Sequence, residues 1–212
     1  MTRKIKTILI ISVVTIIPLS YYAAYSYAIE LNNKAMKVAI EKDWNNKENL
    51  QNALNDINIS IKIYPWNTVF YINKLMLQFR LNDINGALLT NQNIIDLNPK
   101  PLYIVQRGLI YELLDDSINA NINYKKGIDK YEYNFNTETD NNIQNKLEYI
   151  ELLVITGNKN KANIVSDKLK SKNPNNYFIQ NYKLKSKKEV LNLLTNNTTF
   201  KQLKSPNKRI TK

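Results

Sequence analysis

The stretch PLYIVQRGLIYELLDDSINANINYKKGIDKYEYN, residues 101–134, decides the fold. It contains two segments of helical character, and the turn at 115–117 is built of residue types that cap helix N-termini. A small residue such as Ala120 allows a facing helix to approach closely, while Tyr111 and Tyr124 are large enough to fill the adjoining gaps. The stretch therefore predicts two antiparallel helices in close contact.

The same pattern recurs with a period close to 34 residues. Ala53, Ala87 and Ala120 are separated by 34 and 33 positions, and Pro65 and Pro99 are separated by 34. A fixed period of this size indicates stacked units, none of which can bury its apolar face alone. Long alternating β-branched runs are missing from about residue 35 onward. These features predict an all-α fold, an α-solenoid of antiparallel helix pairs.

Residues 35–182 resemble the tetratricopeptide repeat family, in its membrane-anchored bacterial type. The copy at 101–134 has the family's small, aromatic and leucine positions in Gly108, Tyr111, Leu114, Ala120, Tyr124 and Gly127. The preceding copy matches through Tyr71, Leu75, Leu81, Ala87 and Pro99, but it carries Lys74 and Gln78 at apolar positions. A later copy matches through Tyr149, Leu153, Gly157, Ala162 and Pro174, after an insertion around 134–141. The helices are expected to turn over near Asn82, Lys100, Asp115 and Gly157.

The resemblance implies a concave groove lined by the first helix of each unit. The family positions that face a bound peptide correspond here to Ile72, Met76, Phe79, Arg80, Val105, Leu109, Glu112 and Leu113. On this basis we expect a protein–protein interaction scaffold that binds a segment of another protein. The alternative is that this stripe is ordinary core beneath a neighbouring helix. Partial exposure of Met76, Phe79 and Leu109 would favour binding.

The composition argues against catalysis. The chain has no Cys and no His, so it lacks a thiolate, an imidazole base and the usual zinc ligands. It also lacks a Gly-rich phosphate loop and a nucleophile elbow. The paired carboxylates Asp115 and Asp116 are interpreted as helix caps. We therefore expect no enzyme activity, no catalytic residue, no metal and no cofactor.

The net charge of +12 is located at the two ends of the chain. Arg3, Lys4 and Lys6 precede the first apolar run, and residues 183–212 carry nine basic side chains against one Glu. The near-neutral centre argues against a nucleic-acid groove. Residues 183–195 are expected to form a capping helix that starts with the capping box Ser186–Glu189, and 196–212 a basic, disordered tail. An adaptor whose tail binds anionic lipid or another polyanion is the alternative function.

Residues 1–30 form the N-terminal segment. Positions 7–29 contain no charged side chain, and as a helix they would extend about 35 Å, enough for a hydrocarbon core of about 30 Å. The apolar stretch Ile8–Leu19 is followed by Tyr21, Tyr22, Tyr25 and Tyr27, which suit the aromatic belt at a membrane interface. This pattern predicts a single transmembrane helix that tethers the protein.

A cleaved signal peptide is the other interpretation of this segment. The basic start, the short apolar region and the small residues Ser26 and Ala28 are typical of one, and cleavage after Ala28 would leave a periplasmic or secreted protein. If the helix is retained, the basic residues before it favour an N-terminus in the cytoplasm. The repeat domain would then lie outside the cytoplasm.

Overall fold

A computed structural model describes residues 3–41, 46–137 and 143–189. Within these ranges, every regular secondary-structure element is an α-helix, which confirms the predicted all-α class. In chain order they are α1 (Arg3–Glu41), α2 (Lys47–Ile63), α3 (Thr68–Arg80), α4 (Ile84–Leu97), α5 (Pro101–Leu113), α6 (Ser117–Thr137), α7 (Ile143–Ile155), α8 (Lys159–Lys172) and α9 (Tyr177–Gln180). The chain divides into two compact units, residues 1–77 and 78–212, with the boundary inside α3.

The first unit is organised by the packing of α1 against α2. Ala28 and Ala35 of α1 and Ile57 of α2 are fully buried, and small residues at such a contact permit close helix approach. Lys34 pairs with Asp56 at 3.5 Å. The two helices are antiparallel, because Tyr64 at the end of α2 contacts Tyr21 and Tyr25, which precede Lys34 in α1.

The N-terminal helix continues without interruption through Glu41. Within the parts of the chain that the structure describes, no helix combines the length and apolar character needed to cross a membrane. The predicted transmembrane helix is therefore not confirmed and stays a prediction.

The second unit contains a close helix approach, between α5 and α6. A Cβ placed on Gly108 would lie 2.6 Å from the ring of Tyr124, and one placed on Gly127 would lie 2.4 Å from Val105 Cγ2. Because Gly108 meets Tyr124 while the earlier Val105 meets the later Gly127, the helices run antiparallel. Glycine is needed at both positions for this spacing.

Three turns of the second unit share one geometry. Asn82, Asp115 and Gly157 have φ values of 59°, 58° and 82°, in the left-handed region. After each of them, the N–H of the next residue donates a hydrogen bond to the carbonyl five positions earlier, as in a Schellman motif. The pairs are Asp83 with Gln78, Asp116 with Tyr111, and Asn158 with Leu153. Together with α5 beginning just after Lys100, this confirms the four predicted turn positions.

Of the two carboxylates interpreted as caps, Asp116 caps α6, whereas Asp115 takes the left-handed turn position before it. Asp83 accepts a hydrogen bond from the Gly86 N–H at 2.9 Å, and Asp116 accepts one from the Asn119 N–H at 3.0 Å. These bonds satisfy backbone donors that the first helical turn leaves free. Hydrogen bonds from Asn119 also lower the pKa of Asp116, which stabilises its ionised form.

The C-terminal part of the second unit agrees with some of the features predicted from the sequence. The capping box is formed, because the Ser186 N–H donates to Glu189 Oε2 at 2.6 Å and the Glu189 N–H donates to Ser186 Oγ at 3.2 Å. Residues 134–137 of the predicted insertion extend α6. Its remainder, the end of the predicted capping helix and the basic tail 196–212 lie outside the described residues.

Candidate partner-binding face

A cavity of about 160 Å³ lies between α5, α6 and α7 in the second unit. Its lining is Leu102, Tyr103, Val105, Gln106, Leu109, Tyr131, Glu148, Glu151, Leu152 and Ile155. A buried apolar cavity of about 150 Å³ accommodates benzene, so this space is large enough for one apolar side chain. We call it the α5–α7 cavity.

Two carboxylates of α7 give the cavity an acidic side. Glu148 Oε2 accepts a hydrogen bond from the Tyr131 hydroxyl at 2.8 Å, and Glu151 Oε1 accepts one from the Tyr182 hydroxyl at the same distance. Burial, together with these carboxylates, raises the pKa of Tyr131 and of Tyr182. Both tyrosines therefore stay neutral and donate their hydroxyl protons to the two glutamates.

On the other side of the cavity, hydrogen bonds from one amide side chain of α4 hold α5 in place. Asn91 is fully buried. Its amide nitrogen donates to the Tyr103 carbonyl at 3.1 Å and to Gln106 Oε1 at 3.2 Å. Because buried amides are costly to leave unpaired, these bonds fix the position of α5 against α4.

Residues 182–187, which we call the C-terminal strap, connect α7 to α5. Lys185 Nζ lies 3.3 Å from Glu151 Oε1, on α7. Lys187 donates to Glu112, on α5, and its ammonium group lies 5.2 Å from the ring centroid of Tyr124. A basic segment of this chain is thus already bound to acidic residues of both helices.

Part of the groove predicted from the sequence is found at this cavity. Val105 and Leu109 line it, and Glu112 is bound by the strap. Leu113 is half-buried and does not line the cavity. Leu109 lacks the partial exposure that would favour binding, because its side chain is only 4% exposed and belongs to a cluster of core residues.

The predicted groove residues of α3 have different environments. Ile72 and Met76, in the first unit, are half-buried, so Met76 has the partial exposure that would favour binding. Phe79 is only 7% exposed, so it lacks the partial exposure that would favour binding and behaves as a core residue. Arg80 is half-buried, and burial lowers its pKa to about 9, which leaves it a cation at neutral pH.

The sequence analysis did not predict that α7 would line the cavity. Glu148, Glu151, Leu152 and Ile155 follow one another at intervals of three, one and three residues, which places them on one face of a helix. The sequence contains this spacing, but the spacing alone does not indicate that this face of α7 lies opposite Val105 and Leu109. Only helix packing brings the two stripes together.

Comparison with known proteins leaves the function to be inferred from this geometry. Within the described residues, no group of three or more Asp or Glu side chains is placed to hold a metal ion. No model of a known protein family matches the chain, and a search of curated proteins found no match either.

Proposed function

We propose that this protein is a non-catalytic, membrane-tethered scaffold that binds a partner segment on the face formed by α5 and α7. The observation that carries the proposal is the α5–α7 cavity, which is lined by Val105 and Leu109 and bordered by Glu148 and Glu151. The partner segment would insert one apolar side chain and place basic side chains beside the carboxylates.

The repeated geometry supports a tetratricopeptide-like solenoid. The turns at Asn82, Asp115 and Gly157 share one conformation and follow one another at 33 and 42 residues. The longer interval corresponds to one repeat plus the predicted insertion of about eight residues. In such an array, first helices such as α5 and α7 form a common binding face.

The strap indicates the chemistry that this face accepts. Lys185 and Lys187, two positions apart, engage Glu151 and Glu112 on two different helices. A partner with similarly spaced Lys or Arg residues would make the same pairs. Since exposed ion pairs contribute only about 0–1 kcal/mol each, most of the affinity would come from the apolar anchor.

The packing of α1 supports a retained N-terminal helix over a cleaved signal peptide. Tyr21 and Tyr25 contact Tyr64 of the same unit, although both precede the predicted cleavage site after Ala28. Cleavage there would remove these contacts and would separate Ala28, which is fully buried, from the rest of its helix. The proposed orientation, with the body outside the cytoplasm, rests on the basic residues at 3–6.

A labelled peptide with the sequence of residues 181–189, NYKLKSKKE, tests the binding face. The protein used is the full chain carrying Lys185→Gln and Lys187→Gln, which frees the carboxylates. Adding Glu112→Gln and Glu151→Gln should weaken peptide binding about tenfold, as expected for two ion pairs of roughly 0.7 kcal/mol each. Asp129→Asn with Asp167→Asn, which changes the same charge at exposed positions, should have little effect.

The cavity is tested separately with Leu102, which lines it and is partly exposed. Leu102→Ala should weaken the same peptide several-fold. Leu89→Ala, at a more exposed position of α4 outside the cavity lining, should not. If neither the carboxylate pair nor Leu102 affects binding, or if no variant binds the peptide, the proposed face is wrong.

A further inference from the structure

The turn that follows α2 lies beside the aromatic part of α1, within the first unit. The α2 helix runs antiparallel to α1 and ends at Ile63, with Tyr64 as its C-cap residue. The ring of Tyr64 meets Tyr25 with its centroid at 4.8 Å and Tyr21 at 6.0 Å, both at an interplanar angle of 71°. Such edge-to-face contacts are favourable, and they hold the start of this turn at the level of residues 21–25.

Large aromatic side chains are exposed around this contact. Trp66 is 71% exposed, and Tyr21 and Tyr22 are 58% and 68% exposed. Trp66 follows Tyr64 by two positions, so its backbone lies within about 7 Å of that residue. Tyr21, Tyr22, Tyr25, Tyr64 and Trp66 therefore lie at the same level of the α1–α2 pair, and we call them the aromatic band.

The position of the aromatic band along the chain is informative. The apolar stretch Ile8–Leu19 ends two residues before Tyr21, so about 3 Å of helix separates it from the band. Tyr and Trp are enriched where hydrocarbon gives way to headgroups, because their rings are apolar and their hydroxyl or indole N–H is polar. Lys62, exposed in the last turn of α2, has a side chain suited to reach lipid phosphates.

We propose that the turn at residues 64–67 lies in the headgroup region of a lipid bilayer, with Trp66 inserted beside the outer end of the anchor helix. This inference rests on the membrane tether of the proposed function. It adds a second contact with the lipid surface, made by the folded body. The bilayer is the occupant that fits, because the band is continuous with the apolar helix and combines exposed aromatic rings with a nearby cation.

Tryptophan fluorescence tests this placement in the full chain. Trp44→Phe makes Trp66 the only tryptophan, and the protein is reconstituted into phosphatidylcholine–phosphatidylglycerol vesicles that contain lipids brominated along the acyl chain. The matched reporter carries Trp44→Phe, Trp66→Phe and Asn52→Trp. Asn52 is exposed on α2, and it lies 12 positions before Tyr64, or about 18 Å along the helix.

We expect blue-shifted Trp66 emission and several-fold stronger quenching by bromolipid than for the Asn52 reporter. Equal quenching of the two reporters in protein that sediments with the vesicles would overturn the inference while leaving the tether intact. Failure to sediment with vesicles would overturn both. A blue shift of Trp66 in detergent solution that grows with protein concentration would identify a second copy as the occupant instead. Circular dichroism of each variant confirms that the helices are kept.

Discussion

Lys187 donates a hydrogen bond to the carboxylate of Glu112, 75 positions earlier in the chain. The pair joins the C-terminal strap to α5, and the same ammonium group also lies over the ring of Tyr124. The family resemblance implied that Glu112 faces a bound partner, and in the structure its charge is already matched by a basic residue of this chain. A partner that uses Glu112 has to displace Lys187.

Removing this contact should have a small effect on stability. The two side chains are 39% and 22% exposed, so solvent screens the pair, and Lys187→Gln should lower the free energy of unfolding by about 0.5 kcal/mol. Urea denaturation measures the loss, which should shrink at high salt. Lys183→Gln, at an exposed position of the same segment, is the control and should be neutral. A loss that persists in high salt would mean that apolar packing of the Lys187 stem dominates.

Enlarging Ala120 should disrupt the α5–α6 contact. Ala120 is 1% exposed, and its carbonyl oxygen would lie 3.0 Å from a Cβ placed on Gly108. Ala120→Leu should therefore cost about 1–3 kcal/mol through overpacking. Asn121→Leu, at the exposed neighbouring position of α6, should cost far less. Thermal denaturation compares the two, and equal melting temperatures would contradict the close approach.

Truncating the Phe79 side chain should destabilise the folded protein. Because its ring is buried, Phe79→Ala should lower the free energy of unfolding by about 3–5 kcal/mol, as for other core aromatic residues. Leu89→Ala, at an exposed position of α4, provides the comparison and should change stability little. A Phe79→Ala protein as stable as the Leu89→Ala protein would show that the ring is accessible in solution.

Stability should fall in alkaline solution. Burial is the main reason that the pKa of Tyr124, Tyr131 and Tyr182 is raised above the usual value of 10.0, and neighbouring glutamates add to it. Because the folded protein disfavours their ionisation, their contribution is fully present below pH 10.0 and is lost as pH rises above it. Tyrosinate absorbance and circular dichroism should report a coincident transition. Tyr182→Phe should reduce this alkaline loss, whereas Tyr177→Phe, at an exposed position, should not.

The tether predicts how the protein fractionates. The full chain should sediment with membranes and resist extraction by high salt or carbonate, because ions do not screen apolar insertion. Protease added outside the cytoplasmic membrane should digest the body. A soluble protein that begins at Ile29 would establish signal cleavage, and a body protected after the outer barrier is opened would reverse the proposed orientation.

The sequence by itself determined the helical class, the turn positions and the caps. The conformation of Asn82 and Asp115, the capping bonds of Asp83 and the Ser186–Glu189 box involve residues within five positions of one another. Backbone sterics and local hydrogen bonds decide such features, and residue type reports them directly. The α5 part of the site, Val105, Leu109 and Glu112, was expected only because the resemblance to the tetratricopeptide repeat family places these positions in a groove.

Only the tertiary structure decided which of these residues are accessible and what they contact. Phe79 and Leu109 fit a groove and a core equally well by spacing, and burial by neighbouring helices distinguishes the two. The pairing of Lys187 with Glu112 and the contact of Tyr64 with Tyr21 join residues 75 and 43 positions apart. The pattern of one helix specifies which face is apolar, but the neighbour that covers that face depends on how all the helices pack together.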